Sequence, residues 1–219
     1  MANWKKDIDI TSAIINLIGW IFFIIVGILS LIDIFEGSNL SLSLGKKIIG
    51  LLYVIMIIVF WPIQISYHLY VSKGKQVDTL HRIDRGSMQF LLAGIFSPII
   101  FELVDSPGSI IVIVLLWVLA AIGMGLLLIM KNLSRKIAPL LGFTMGIIGI
   151  VSISTFITKM SGMTIFLFFM GSLFLIGGGA VYALKRPDPK LDWFGFHEIF
   201  HSLILIGCIF LHYVVLAFY

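Results

Sequence analysis

Seven stretches of roughly 20 residues, nearly free of charge, dominate this chain and restrict what it can fold into. They lie at 12–33, 48–70, 87–104, 108–130, 137–157, 163–184 and 195–217. About 20 mostly apolar residues are what an α-helix needs to cross a bilayer. Lipid offers the backbone no hydrogen bonds, so runs of this length pair their own N–H and C=O groups as helices. Of 219 residues, 60% are hydrophobic and 12% charged, half the roughly 25% charged fraction of a soluble domain. The expected fold class is all-α, an integral membrane bundle of seven transmembrane helices forming one domain over residues 1–219. The third stretch gives the weakest signal, because it is short and carries Pro98 and Glu102. The first is long and polar-flanked with no small-residue cleavage pattern, so it reads as a retained helix.

Orientation follows from the basic residues. Lys5 and Lys6, then Lys73, Lys75, Arg82 and Arg85, then Lys131, Arg135 and Lys136, then Lys185, Arg186 and Lys190 fall on one side of a seven-span topology. Lys46, Lys47 and Lys159 fall on the other. Twelve against three places the N-terminus in the cytoplasm and the C-terminus outside. The basic loop "KGKQVDTLHRIDR" suits contact with anionic headgroups. Membrane lipid is the expected partner. No nucleic-acid motif, phosphate loop or serine nucleophile elbow occurs.

This topology brings distant polar residues to one depth. His68 lies near the inner end of the second span. Asp84 immediately precedes the third. His197 and His201 occupy the first two turns of the seventh. Ionisable groups are costly at such depth and mark functional sites. His197 and His201 are four residues apart, on one helical face. Two imidazoles so placed can share one ion, and neutral imidazole suits zinc. His68 is the natural third ligand, and three histidines plus a water make an open, catalytic type of zinc site. Asp84 is placed to hold that water or to orient a histidine.

The stretch "FHEIFH" also matches His-Glu-x-x-His, the zinc-protease arrangement in which Glu198 would act as general base. The 18 residues after His201 carry no further acid. His212 stands 11 residues on, about 16 Å along a helix, too far to share the ion. Glu198 therefore reads as a helix-start acid favoured by the dipole, and His212 as packed or cavity-lining. His81, in a charged loop, reads as solvated surface. Cys208 reads as a small buried hydrophobe. The later glycines, in "GMG", "GFTMGIIG" and "GSLFLIGGG", read as close helix contacts.

The segments "ISYHLY", "LHRIDRGSMQFLLAGIFSP", "KRPDP" and "FGFHEIFH" together resemble the hemolysin III family of the progestin and adipoQ receptor (PAQR) superfamily, which includes the adiponectin receptors. The resemblance covers His68 to His212. It implies seven helices with a cytoplasmic N-terminus, and zinc near the cytoplasmic face held at the positions of His68, His197 and His201. The family aspartate that positions the zinc-bound water matches Asp84. Two departures stand out. Gln64 occupies the place of a family serine, and Arg85 that of a family histidine. Arg85 would stabilise an ionised Asp84 or bind a headgroup phosphate.

Three functions follow as expectations. The first is zinc-dependent hydrolysis of a lipid amide of ceramide type, as the superfamily's link to alkaline ceramidases implies. The second is a non-enzymatic sensor or regulator of membrane state, with structural zinc. The third is the cytolysis of the family name, which the loop-confined charges and the lack of an amphipathic toxin-like segment do not favour. By family analogy the expected location is a bacterial inner (plasma) membrane.

Overall fold

A computed structural model describes residues 3–36, 42–74, 78–130, 136–154, 157–189 and 193–219. Seven α-helices account for nearly all of them, and the described residues contain no strand. They are α1 (Asn3–Glu36), α2 (Leu44–Ser72), α3 (Asp78–Leu103), α4 (Gly108–Ile129), α5 (Ile137–Ser154), α6 (Gly162–Leu184) and α7 (Phe196–Leu216). Six are long and apolar enough to cross a membrane. The exception is α5, whose apolar stretch Ile137–Ser152 is shorter. Serine hydroxyls start two of the helices: Ser43 accepts from the Lys46 N–H at the head of α2, and Ser161 from the Thr164 N–H at the head of α6.

Consecutive helices pack against each other, α7 returns to α1, and α3 touches α2, α4, α5 and α7. Four of the other six helices therefore pack on α3. The third stretch gives the weakest apolar signal of the six, as expected, but it is not short, its helix running to 26 residues. It is the least apolar of the six long helices and also the most buried. Every residue from Leu91 to Ile100 is buried. Its polar groups meet protein instead of lipid. Ser97 Oγ donates to the Ala93 carbonyl at 2.6 Å and accepts from Trp117 Nε1 at 3.0 Å. Gln89 Nε2 donates to the Ala138 carbonyl at 3.0 Å. A helix so surrounded tolerates Pro98 and needs no lipid-compatible face. It also begins at Asp78, nine residues before the apolar run. Asp84 thus lies inside the helix, not ahead of it. His81 is likewise helical and half-buried, its ring stacked 5.0 Å from that of Tyr67, which corrects its reading as solvated surface.

The outer faces of α1 and α4 expose Ile14, Ile18, Ile21 and Ile25, and Ile111, Val114, Val118 and Ile122. Water-soluble monomers do not carry so large an apolar surface. One end of the bundle gathers the charged contacts Lys46–Glu102 (3.0 Å) and Lys159–Asp105 (2.9 Å). Tyr219 lies there too and donates its hydroxyl to the Lys46 carbonyl at 3.1 Å. Burial, and then the nearby Glu102 charge, push the Tyr219 hydroxyl above its ordinary pKa. The opposite end holds the starts of α1, α3 and α7 and the close of α2.

Helices α6 and α7 approach closely at Gly171 and Gly207. A Cβ on Gly171 would stand 2.7 Å from Leu211 Cγ and 3.1 Å from the Gly207 carbonyl oxygen. One on Gly207 would stand 3.0 Å from the Gly171 carbonyl oxygen. Small residues permit this backbone contact, and a side chain would force the helices apart. Gly207→Val is expected to destabilise the fold by about 1–3 kcal/mol, read as a lower melting temperature in detergent. A melt matching the parent would show that the contact is loose.

Candidate metal centre and its cavity

The first turn of α7 is fixed from two sides. Asp188 Oδ1 accepts the Phe196 N–H at 3.0 Å, and the Gly195 N–H donates to Glu198 Oε2 at 2.9 Å. The second bond is the reach of an acid at the third helical position back to the cap. Glu198 is thus a helix-start acid, as expected, but it is also fully buried, and Ser12 Oγ of α1 donates to its other oxygen at 2.6 Å. Its carboxylate is engaged away from the histidines.

From that anchored start, His197 and His201 project one turn apart, with their Nε2 atoms separated by 3.1 Å. His68, in the last turns of α2, brings its Nε2 to 3.0 Å from His201 Nε2 and 3.4 Å from His197 Nε2. Nitrogens bound tetrahedrally to zinc at about 2.1 Å lie roughly 3.4 Å apart. The three rings therefore need only small movements to hold one ion, and together they form a group that can bind a metal. His68 and His201 are buried, and His197 is half-buried.

Helix α1 supplies what sequence reasoning missed. Asp9 Oδ1 lies 3.3 Å from His68 Nδ1. A carboxylate there holds the proton on Nδ1 and leaves the Nε2 lone pair for the ion, the usual support of a metal-bound histidine. The Asn16 side-chain amide lies 3.3 Å from His201 Nδ1. Asp9, Ser12 and Asn16 are all buried. Their spacing of three and four residues puts them on one helical face. In "DIDITSAIIN", polar residues at helical spacing on an otherwise apolar helix were the available signal.

Beside the triad lies a cavity of about 320 Å³ between α3, α5, α6 and α7. Its walls are mostly apolar, with Leu92, Phe96, Ile150 and Leu175 among them. His197 lines it together with Gln64, Asp84 and Arg85. The side-chain nitrogen of Gln64 donates to the Asp84 carbonyl and to Ser87 Oγ, both at 3.0 Å, while Ser87 Oγ donates to the same carbonyl at 2.7 Å. These bonds lock the start of α3 to α2. Among the described residues, the buried Asp84 Oδ1 has no hydrogen-bond partner, so this oxygen can take a donor. A water on an ion at the triad would be such a donor, and the residues present fit a metal on that count as well.

Outside this group, His212 is buried with its Nδ1 2.6 Å from the Tyr53 hydroxyl and edge-on contacts to Phe22 and Phe23. It is packed, as expected, and takes no part in the triad. Cys208 is a buried free thiol.

Residues 7–213 match the haemolysin-III related family. The chain belongs to that family. The match spans Asp9 and Asn16 of α1 as well as His68, Asp84 and the α7 histidines. With six apolar helices, it makes this haemolysin-III related protein a multi-pass membrane protein.

Metal analysis of the purified protein provides the direct test. His68→Ala and His201→Ala are each expected to remove the bound ion. Asp9→Ala is expected to retain the site with about 10- to 100-fold weaker affinity, measured by competition with a chelator. Full metal content in His201→Ala would exclude the triad as its holder.

Proposed function

We propose that this haemolysin-III related protein is an intramembrane zinc-dependent hydrolase of a lipid amide. The ligands are His68, His197 and His201. The observation that carries the reading is the placement of Asp84. Asp84, whose Oδ1 has no hydrogen-bond partner among the described residues, lines the same apolar cavity as His197. When bound, the ion supplies Lewis acidity toward a carbonyl and lowers the pKa of a water. The chain's own residues do the rest. The cavity receives an acyl chain and excludes bulk water. Asp84 accepts the proton of the attacking water. His68, steadied by Asp9, and His201, beside Asn16, keep the ligand set from turning away. Gln64, where the family has serine, holds the Asp84 backbone in place through its amide nitrogen.

In this reading all seven helices span the membrane, α5 by its shorter stretch, and the metal centre lies near the cytoplasmic face. The distribution of Lys and Arg supports an inside N-terminus and an outside C-terminus. An inner, bacterial membrane follows by family analogy alone.

The test is turnover of an N-acyl lipid by the purified protein in mixed micelles. Activity is expected to fall with chelation and return with zinc. Asp84→Asn is expected to lower it by about 10²- to 10⁴-fold while metal content stays full. Equal turnover in Asp84→Asn would remove Asp84 from the mechanism.

One observation favours a second reading. The triad joins α2 to α7, with α1 packed behind both, so an ion there would also brace three helices. A sensor or regulator with structural zinc would use the site this way. It predicts that His197→Ala lowers the melting temperature as much as chelation does, in a protein with no metal-dependent turnover at any lipid amide.

A further inference from the structure

The turn between α6 and α7 carries a feature that the metal centre does not require. Lys185 closes α6, its N–H donating to the Val181 carbonyl at 2.9 Å. It does so with φ 55° and ψ 38°, the only left-handed backbone at a non-glycine residue among those described. A helix that merely had to stop would place glycine there, which adopts this conformation without the clash of a Cβ. Lysine in its place is a cost, and strain of this kind points to a use for the side chain. The ammonium is turned back toward α7 and stands over the Phe196 ring, 6.0 Å from its centroid, at the reach of a cation–π contact.

An open cleft of about 810 Å³ lies at this turn, walled by Lys185, Arg186, Pro187, Asp188 and Phe196. It shares no lining residue with the cavity beside the triad. Lys185 and Arg186 are both exposed. Asp188 is the one acid in the wall, and its Oδ1 already accepts the Phe196 N–H. Two cations against one engaged carboxylate leave the cleft positive. On either side in sequence, Leu184 and Trp193 are 70% and 51% exposed. Exposed leucine and tryptophan beside basic residues mark the level at which acyl chains give way to headgroups. A soluble anion would use the cations alone, whereas a lipid uses this apolar rim as well.

We propose that this cleft binds the phosphate of an anionic phospholipid between Lys185 and Arg186, with the glycerol against Pro187 and Phe196 and the acyl chains running past Leu184. Phe196 immediately precedes His197, so the headgroup lies against the same anchored first turn of α7 that sets out the triad. The site does not depend on the hydrolase reading.

The test titrates the whole protein in detergent micelles with dioleoyl phosphatidylglycerol and with dioleoyl phosphatidylcholine, and counts bound lipid by native mass spectrometry. The two share chains and phosphate, and only the first carries net charge. The parent is expected to bind the glycerol lipid about tenfold more tightly at low salt, and added salt is expected to narrow the gap. Lys185→Asn with Arg186→Gln removes both charges, and asparagine tolerates the left-handed backbone. This pair is expected to bring the two lipids within about twofold, with the choline lipid unchanged. Lys73→Gln with Lys136→Gln neutralises two exposed lysines at the same end of the bundle, outside the cleft, and is expected to keep the preference. Equal binding by the parent overturns the proposal, as does a gap that salt leaves unchanged; both need no variant to fold. A preference that survives the first pair, or that both pairs abolish equally, replaces the cleft with a diffuse surface field. Displacement of the lipid by an equal concentration of glycerol 3-phosphate overturns the lipid as occupant.

Discussion

A carboxylate that water cannot reach must find its donors in the protein, and Glu198 finds them in two places. Its own helix cap supplies the Gly195 N–H, and α1 supplies the Ser12 hydroxyl. Both bonds are charge-assisted if the group is ionised and remain available to it if it is not. They fix where α7 starts and how it is rotated, and they set α1 against it. Everything at the histidine triad inherits that registration. Once Ser12 faces Glu198, Asp9 falls beside His68 and Asn16 beside His201, because the three share one face of α1. Shifting α1 by a residue would turn the face by about 100° and undo all three contacts together.

That dependence explains what could and could not be read from the chain. The histidine triad was legible because its members obey two simple rules. One is a helical spacing of four, and the other is a common depth imposed by topology. Asp84 was legible by depth, although its helix begins earlier than the apolar run suggests. The polar first turns of α3 are held by protein contacts, which hydropathy does not register. The same blindness made the central helix look like the weakest span. Gln89, Ser97 and Pro98 lower its apparent fitness for lipid, yet it meets little lipid. Only the packing shows that these groups bond to Ala138, Trp117 and the helix's own backbone. The α1 face was written in the sequence as Asp9, Ser12 and Asn16. It lacked a partner until α7 was laid beside it.

His81 and His212 show the other side of the same lesson. Both are imidazoles in a chain with few, and neither joins the metal group. His212 lies three turns deeper than His201, packed with Tyr53 and two phenylalanines. His81 is half-buried and stacked on Tyr67. A residue type rare in lipid signals expense, and here the expense is met in three different ways: by convergence on an ion site, by a hydroxyl partner, and by stacking. Geometry, not residue type, separates the three.

Helix α3 finally ties the centre to the cavity. At its head, Gln64 and Ser87 hold the Asp84 backbone against α2 and therefore against His68 on the same helix. Further along, Leu92 and Phe96 form the apolar wall, and Gln89 stands between the two regions. Along α3 the cavity wall runs from the charged Asp84 and Arg85, past Gln89, to the hydrocarbon of Leu92 and Phe96. That order is the polarity profile of an amphiphile lying lengthwise. Because α3 is buried on nearly all sides, its side chains cannot relax into lipid to suit a ligand of the reverse profile. The most enclosed helix in the bundle thus orders the cavity wall, with its polar groups toward the histidines and its apolar ones leading away from them.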